Sequence, residues 1–309
     1  MGMERRAFLG ATVGALVVRA AGAQPARTGV VRLVLGFSPG GVADRIARVL
    51  APELGRVASR TVIVENVPGA NSGRAIQRVA MSEPDGDTLL MATSAIAHPD
   101  HAIAMEALRP VLMASTTPMV LVVRGTLPAH DAKEFGRWLV ANPGATYGSA
   151  GIGNATHVCA AELVERFGAT ATHVPYSGTT PAFADLMGGH IDFLVMGVSP
   201  SLAQQHAVRM LAVTTRQRSR LPGLDALPTL AETLGGDFDH SLWQAVYAPA
   251  RVPASTRTTL EAQFREILAL DAVRVSLADV GSEPVGGGPD AADRAFRAEV
   301  ARYGARSSR

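Results

Sequence analysis

The stretch Arg32 to Asp44, RLVLGFSPGGVAD, constrains this chain most. Val31, Leu33 and Leu35 alternate with Arg32 and Val34 in a short apolar run that reads as a buried strand. Gly36 to Gly41 is a turn rich in Gly and Pro. From Val42 the apolar residues fall at helical spacing, at Val42, Ile46, Val49 and Leu50. The turn therefore feeds the start of a helix. The first amides of a helix have no internal partner and carry the positive end of its dipole. Two glycines let the backbone approach a ligand. Main-chain binding of an anion is the chemistry this favours. Asp44 follows in the first turn, where it complements the dipole or fixes the loop.

The same unit recurs along the chain. Thr61 to Glu65 reads as a strand, Asn66 to Gly73 as a loop and Arg74 to Met81 as a helix. Thr88 to Met91 is a third strand and ends in Ala92-Thr93-Ser94. Strand–helix alternation implies parallel units, whose sites lie beyond the carboxyl ends of the strands. Thr116-Thr117-Pro118 interrupts the apolar run Val111 to Val123 and leaves Met119 to Val123 as a strand. A helix follows over Asp131 to Ala141. Tyr147 to Thr156 is a second glycine-rich loop entering a helix that ends near Phe167. After a strand at Thr170 to Val174 comes a third small-residue loop, Pro175 to Thr180, and a helix over Pro181 to Met187. Ile191 to Met196 and Val208 to Thr214 read as strands, and Trp243 to Pro249 as an extended connection. Amphipathic helices near Ala254 to Ala269, Asp271 to Val280 and Ala291 to Tyr303 complete the chain and are expected outside a sheet.

With 309 residues there is room for two domains. The formal charge of +2 is concentrated in the first 23 residues, which hold Arg5, Arg6, Arg19 and Glu4. The rest is near neutral and offers no nucleic-acid surface. Residues 1–23 read as a signal peptide: twin arginines, an apolar stretch from Ala7 to Val18 too short to span a bilayer, and Ala21-Gly22-Ala23 as cleavage site. A periplasmic protein is expected. Cys159 is the only cysteine, so no intrachain disulfide can form.

Enzymatic motifs match only in part. Gly151-Ile152-Gly153-Asn154-Ala155-Thr156 ends in Thr, and the next strand leads into Pro175-Tyr176 with no acid for a ribose. Tyr147-Gly148-Ser149-Ala150-Gly151 resembles a nucleophile elbow with Tyr147 in place of the first glycine. No nucleophile–base pair stands out, and His157 and His173 read as structural. His98 and His101 lack the spacing of a metal motif.

Several ordered motifs agree on a family. They are Phe37 to Asp44, Glu65-Asn66-Val67-Pro68-Gly69-Ala70, Pro84 to Leu90, Tyr147 to Gly151, His173-Val174-Pro175-Tyr176-Ser177-Gly178, Gly188 to Asp192, Leu211 to Thr214 and Ala248-Pro249. In these the chain resembles the substrate-binding proteins of tripartite tricarboxylate transporters, the Bug family of periplasmic receptors. The resemblance implies an α/β, two-lobed periplasmic binding protein type II fold, each lobe a mixed, mainly parallel sheet flanked by helices. Residues 24–123 and 245–309 would form one lobe and 124–244 the other. The implied function is capture of a small organic acid, without cofactor or catalysis, by a monomer that then docks on a membrane permease or a sensor. The implied ligand contacts are Phe37, Ser38, Pro39, Gly40, Gly41, Asp44, Ser94, Ser149, Gly151, Asn154, Thr156, Tyr176, Ser177, Gly178, Thr179, Met196 and Ser199. A hydrolase or lyase of small carboxylates on the same scaffold is the alternative. Met196-Gly197-Val198, where relatives often carry an acidic or amide residue, points to a less polar acid.

Overall fold

The computed structural model describes residues 29–307 apart from 38, 177 and 199–206. The targeting segment expected over 1–23, and the expected ligand contacts Ser38, Ser177 and Ser199, lie outside the described residues.

Ten strands among the described residues form two connected sheets. The first has β1 (Val30–Leu35), β2 (Thr61–Asn66) and β3 (Thr88–Thr93) in parallel, with β1 in the middle. Strand β4 (Leu108–Arg124) is 17 residues long and runs out of this sheet into the second. There it meets β7 (Phe193–Gly197) and β8 (Val208–Val213), both antiparallel to it. Beyond β7 lie β5 (Thr146–Ser149) and β6 (Thr172–Pro175), both parallel to it or to each other. Strand β9 (Ser241–Pro249) returns to the first sheet and lies antiparallel between β3 and β4. A short β10 (Glu283–Gly287) pairs with the other edge of β4.

Helices cover both faces of each sheet. On one face of the first, α1 (Val42–Ala58), α8 (Ala254–Ala269) and α9 (Asp271–Asp279) bury Ile46, Leu50, Phe264, Ile267 and Leu277 against Leu33, Leu35, Met91 and Val246. The other face carries α2 (Gly73–Ala80) and α10 (Pro289–Ser307), with Ile76, Val79 and Ala292 against Val34, Leu90, Trp243 and Tyr247. Between β3 and β4 lies α3 (Ala102–Glu106). In the second sheet α4 (Ala132–Ala141) and α5 (Ala155–Arg166) set Phe135, Leu139, Cys159 and Leu163 against Leu121, Phe193 and Val195. Helix α6 (Thr179–Gly188) packs on the opposite face, and α7 (Leu230–Leu234) lies at the edge with Leu230 buried.

Two readings of the sequence need correction. The break at Pro118 does not occur, because β4 continues through it. Proline removes only its own donor, and Pro118 sits where β4 exchanges β9 for β7 and β8 as neighbours. Its carbonyl still accepts from the Val198 amide at 3.4 Å. The extended connection at Trp243 to Pro249 is a full strand, β9. No helix among the described residues is long and apolar enough to cross a membrane.

Phe135 shows how tightly the second core is built. Its ring is fully buried, edge-on to Phe193 at 4.9 Å and to Phe167 at 6.0 Å. Truncating a buried phenylalanine leaves a cavity as well as losing transfer energy. Phe135→Ala should lower the free energy of unfolding by about 3–5 kcal/mol, measured by urea denaturation. A loss under about 1 kcal/mol, ordinary for a surface change, would mean that the core tolerates the hole.

Candidate functional site

The strand directions bring two rims face to face. The carboxyl end of β3, at Thr93, is level with Gln244, and Gln244 is level with Ser115 on β4. Approaching from the second sheet, β7 ends at Gly197, level with Met119 on the same strand. Only three residues of β4 lie between the two ends, about 13 Å apart at the rise of a strand. So the loops after β1, β2 and β3 face the loops after β5 and β6 and the end of β7. Between them the crossing strands supply a polar pair, with the Ser115 hydroxyl donating to Gln244 Oε1 at 2.9 Å.

The first rim is pinned by a buried carboxylate. Asp44 is 2% exposed. Its oxygens accept from the Gly40 amide at 2.9 Å, from Arg48 at 2.9 and 3.0 Å, and from Asn66 Nδ2 at 2.9 Å. The same Asn66 amide reaches the Phe37 carbonyl at 3.0 Å, which ties the first loop to the second. The Arg48 guanidinium, with the Gly40 amide and Asn66, outweighs desolvation and holds the Asp44 carboxyl down at about 2. Gly40 has φ +88°, a left-handed conformation that strains any side chain. Pro39, Gly40 and Gly41 are exposed, and Phe37 packs against the core beneath. Ser94 is buried and opens the turn after β3.

On the second rim the loop binds itself. Asn154 caps α5 by accepting from the Thr156 amide at 3.1 Å. The Thr156 hydroxyl accepts from the Ala150 amide at 3.0 Å, Ser149 Oγ from the Gly151 amide at 3.1 Å, and His157 Nδ1 from the Gly153 amide at 3.1 Å. Ser149 Oγ also lies 2.7 Å from His173 Nε2. No such pair stands out in the sequence; the fold brings these two together. The His173 ring stacks on His157 at 3.9 Å and on Tyr147 at 5.0 Å, and burial pushes its pKa down. Tyr176 donates its hydroxyl to Asp185 at 2.7 Å. Burial first, then that carboxylate, push the phenol up to about 12. Gly178 precedes α6, which begins at Thr179 and has no side-chain cap.

Ser149, Gly151, Asn154, Thr156 and Tyr176 thus form one cluster, and Phe37, Gly40 and Asp44 another. Met196 and Val198 stand apart, with side chains buried in the core shared with Leu186, Leu194 and Val213. The sequence places Asn66 on the first rim, at the carboxyl end of its strand, but gives it no partner; it passes over Arg48, and His157 and His173 read there as structural. Asn66 and His173 lie inside the family motifs, but only their partners across the fold show their work. Arg124 and Asp192 pair at 2.9 Å at the far end of β4, outside either rim. Among the described residues no group of three His, Cys, Asp or Glu side chains is placed to hold a metal ion.

Two closures bring the halves together. Phe296 of α10 packs with Ala97 and with Val158 of α5. Glu283 of β10 accepts from the Ser219 hydroxyl at 2.8 Å.

A carboxyl depressed by native contacts stabilises the fold above its unfolded pKa, and that contribution fades as pH falls through the folded value. For Asp44 the window runs from about pH 4 down to about pH 2. Melting temperatures of the wild type should drop more steeply across it than those of Asp44→Asn. Identical acid limbs would show that the carboxylate does not pin the loop.

Residues 46–306 match the family described as Tripartite tricarboxylate transporter family receptor. The chain is 30% identical over 280 residues to a protein encoded in the tcbD–tcbE intergenic region of Pseudomonas sp. (strain P51), covering 87% of this chain and 83% of that one. It is 29% identical over 302 residues to BugT of Bordetella pertussis, covering 95% and 92%. Among solved structures it is similar to the periplasmic binding protein BugD, with a TM-score of 0.74 and 27% identity over 89% of this chain and 95% of that one. R. palustris Rpa4515 with adipate gives 0.78 and 29%, covering 88% and 94%. MatC from Rhodopseudomonas palustris with bound malate gives 0.74 and 26%, covering 89% and 97%. Its mixed sheets, facing rims and the match along most of its length agree: the chain belongs to the tripartite tricarboxylate transporter receptor family and has the two-lobed fold of periplasmic binding proteins.

Proposed function

We propose that this chain is an exported solute receptor that captures a small organic carboxylate between its two rims. The observation that carries the reading is the meeting of two sets of strand ends across three residues of β4, with β1, β2, β5 and β6 each followed by a small-residue loop that enters a helix. Helix N-termini and loop donors favour an anion without a fixed cationic side chain. Relatives solved with adipate and with malate support the ligand class. Phe37 to Gly41, Asp44, Ser94, Ser149, Gly151, Asn154, Thr156, Tyr176 to Thr179, Met196 and Ser199 remain the proposed lining, with Asp44 acting through the loop it pins and Met196, its side chain in the core, through its main chain alone. The lobes are proposed as 24–123 with 245–309, and 124–244, closing on the ligand through contacts made only in the closed state. The signal peptide is removed near Ala23, and the monomer delivers its ligand to a permease or sensor, without catalysis.

One observation favours the hydrolase alternative, the 2.7 Å contact between Ser149 Oγ and His173 Nε2. A working pair needs its base oriented and its nucleophile reachable. Here the histidine is held by ring stacking, and Ser149 is 2% exposed. The receptor reading accounts for the same contact as a rigid wall of the second rim.

The test is thermal unfolding against adipate, malate and benzoate, with each acid recovered afterwards. A ligand at a hundred times its dissociation constant adds about 2.7 kcal/mol, a shift of about 5–10 °C for lobes of this size. A dicarboxylate is expected to give the larger shift, because the side chains of Met196 and Val198 are turned into the core. A larger shift with benzoate would restore the apolar ligand. Cleavage of p-nitrophenyl acetate by the wild type, lost in Ser149→Ala, would establish the hydrolase instead.

A further inference from the structure

The donors expected to hold the carboxylate are largely engaged within their own loops. Asp44 takes the Gly40 amide, while Thr156, Ser149 and His157 take those of Ala150, Gly151 and Gly153. One hydroxyl on the first rim is not. Ser72 Oγ is buried and has no hydrogen-bond partner among the described residues. The residue is 3% exposed and has φ +76°, which an L side chain rarely adopts. It occupies the N-cap of α2, the position from which serine normally accepts from the helix's own amides, yet it makes no such bond. Its side chain lies instead against Gly36, where the first loop begins, and a Cβ on Gly36 would overlap Ser72 Cβ and Oγ. Nearby, the stem of Arg74 lies over Gly69 on the same loop.

A strained backbone, an uncapped helix start and an orphaned hydroxyl at one residue are each unfavourable. Such features persist where a partner supplied from outside repays them. Local stability alone would select glycine at this φ, and the chain keeps serine. The positive end of the α2 dipole and the charge of the Arg74 guanidinium beside Gly69 fit a partner that is an anion.

We infer that Ser72 is a ligand-binding residue, whose hydroxyl donates to an oxygen of the bound carboxylate alongside the first amides of α2, at the end of the cleft bounded by Gly36. The inference rests on the receptor reading.

Two variants of the full chain test it, Ser72→Ala and Ser72→Gly, titrated calorimetrically with adipate, malate and benzoate. Alanine removes the hydroxyl and keeps the strain; glycine removes both. A hydrogen bond to a charged group predicts a loss of affinity of about tenfold or more in both variants, for whichever of the three acids the wild type binds. Ser72→Gly should nevertheless melt at or above the wild-type temperature, since glycine accepts this φ. Wild-type affinity in both variants would overturn the inference and leave the receptor reading standing. Weaker binding in Ser72→Ala alone would also overturn it, by showing that backbone geometry rather than the hydroxyl matters. A wild type that binds none of the three acids would instead remove the receptor reading, and this inference with it.

Discussion

Everything in the molecule hangs on the ladder between β4 and its changing neighbours, which bulges in places but runs the length of the strand. Over Leu108 to Pro118 the strand is paired with β9, and over Met119 to Arg124 with β7 and β8. Because one strand belongs to both sheets, the direction of the first sheet dictates that of the second. The parallel strands of the first sheet run with β4, and β7 runs against it. Their carboxyl ends must therefore point at each other. No separate interaction is needed to aim the two rims. A single extended segment does so, and its apolar residues from Val111 to Leu112 and from Met119 to Val123 are fully buried on both sides of the junction.

The rims themselves are rigid for a different reason. Loop amides near a ligand site are exposed to water and would leave a glycine-rich segment with many conformations. Here short polar side chains fold back on them. Asn66 spans two loops, and Asp44 is held by a guanidinium, a backbone amide and a carboxamide at once. On the opposite rim Asn154, Thr156, Ser149 and His157 do the same work. This moves the cost of ordering the loops from the binding step to folding, which is the substance of preorganisation.

Much of this was legible in the sequence. The first strand, its loop and helix α1 were readable because period-two and period-3.6 patterns adjoin at Gly36 to Val42. The helices α8 and α9 likewise match their apolar spacing. Pro118 misled because proline is read as a breaker, and only the change of strand partners shows why it is tolerated. Strand β10, Glu-Pro-Val-Gly-Gly, has the composition of a turn and is a strand only because β4 offers it an edge. In the site, the small-residue loops were visible, but their engagement was not. That Asp44 meets Asn66, or Ser149 meets His173, depends on pairs 22 and 24 residues apart whose proximity comes from parallel strands lying side by side. Ser72 was legible as part of the first rim, at the end of the loop after β2, but not its left-handed backbone or its contact with Gly36.

The path of the chain through the two sheets also has a consequence for biosynthesis. The apolar cluster centred on Phe135 and Phe193 is assembled from residues 119–242, a continuous stretch. The cluster around Leu33 and Ile46 needs Val246, Phe264 and Leu277, which are made last. As the polypeptide leaves the ribosome, the middle of the molecule can condense while its beginning still waits. Strands β1 to β3 remain an unsealed sheet until β9 and α8 emerge to cover it. The half made first is finished last, and during that interval its apolar edge is the part of the nascent chain most in need of protection from its neighbours.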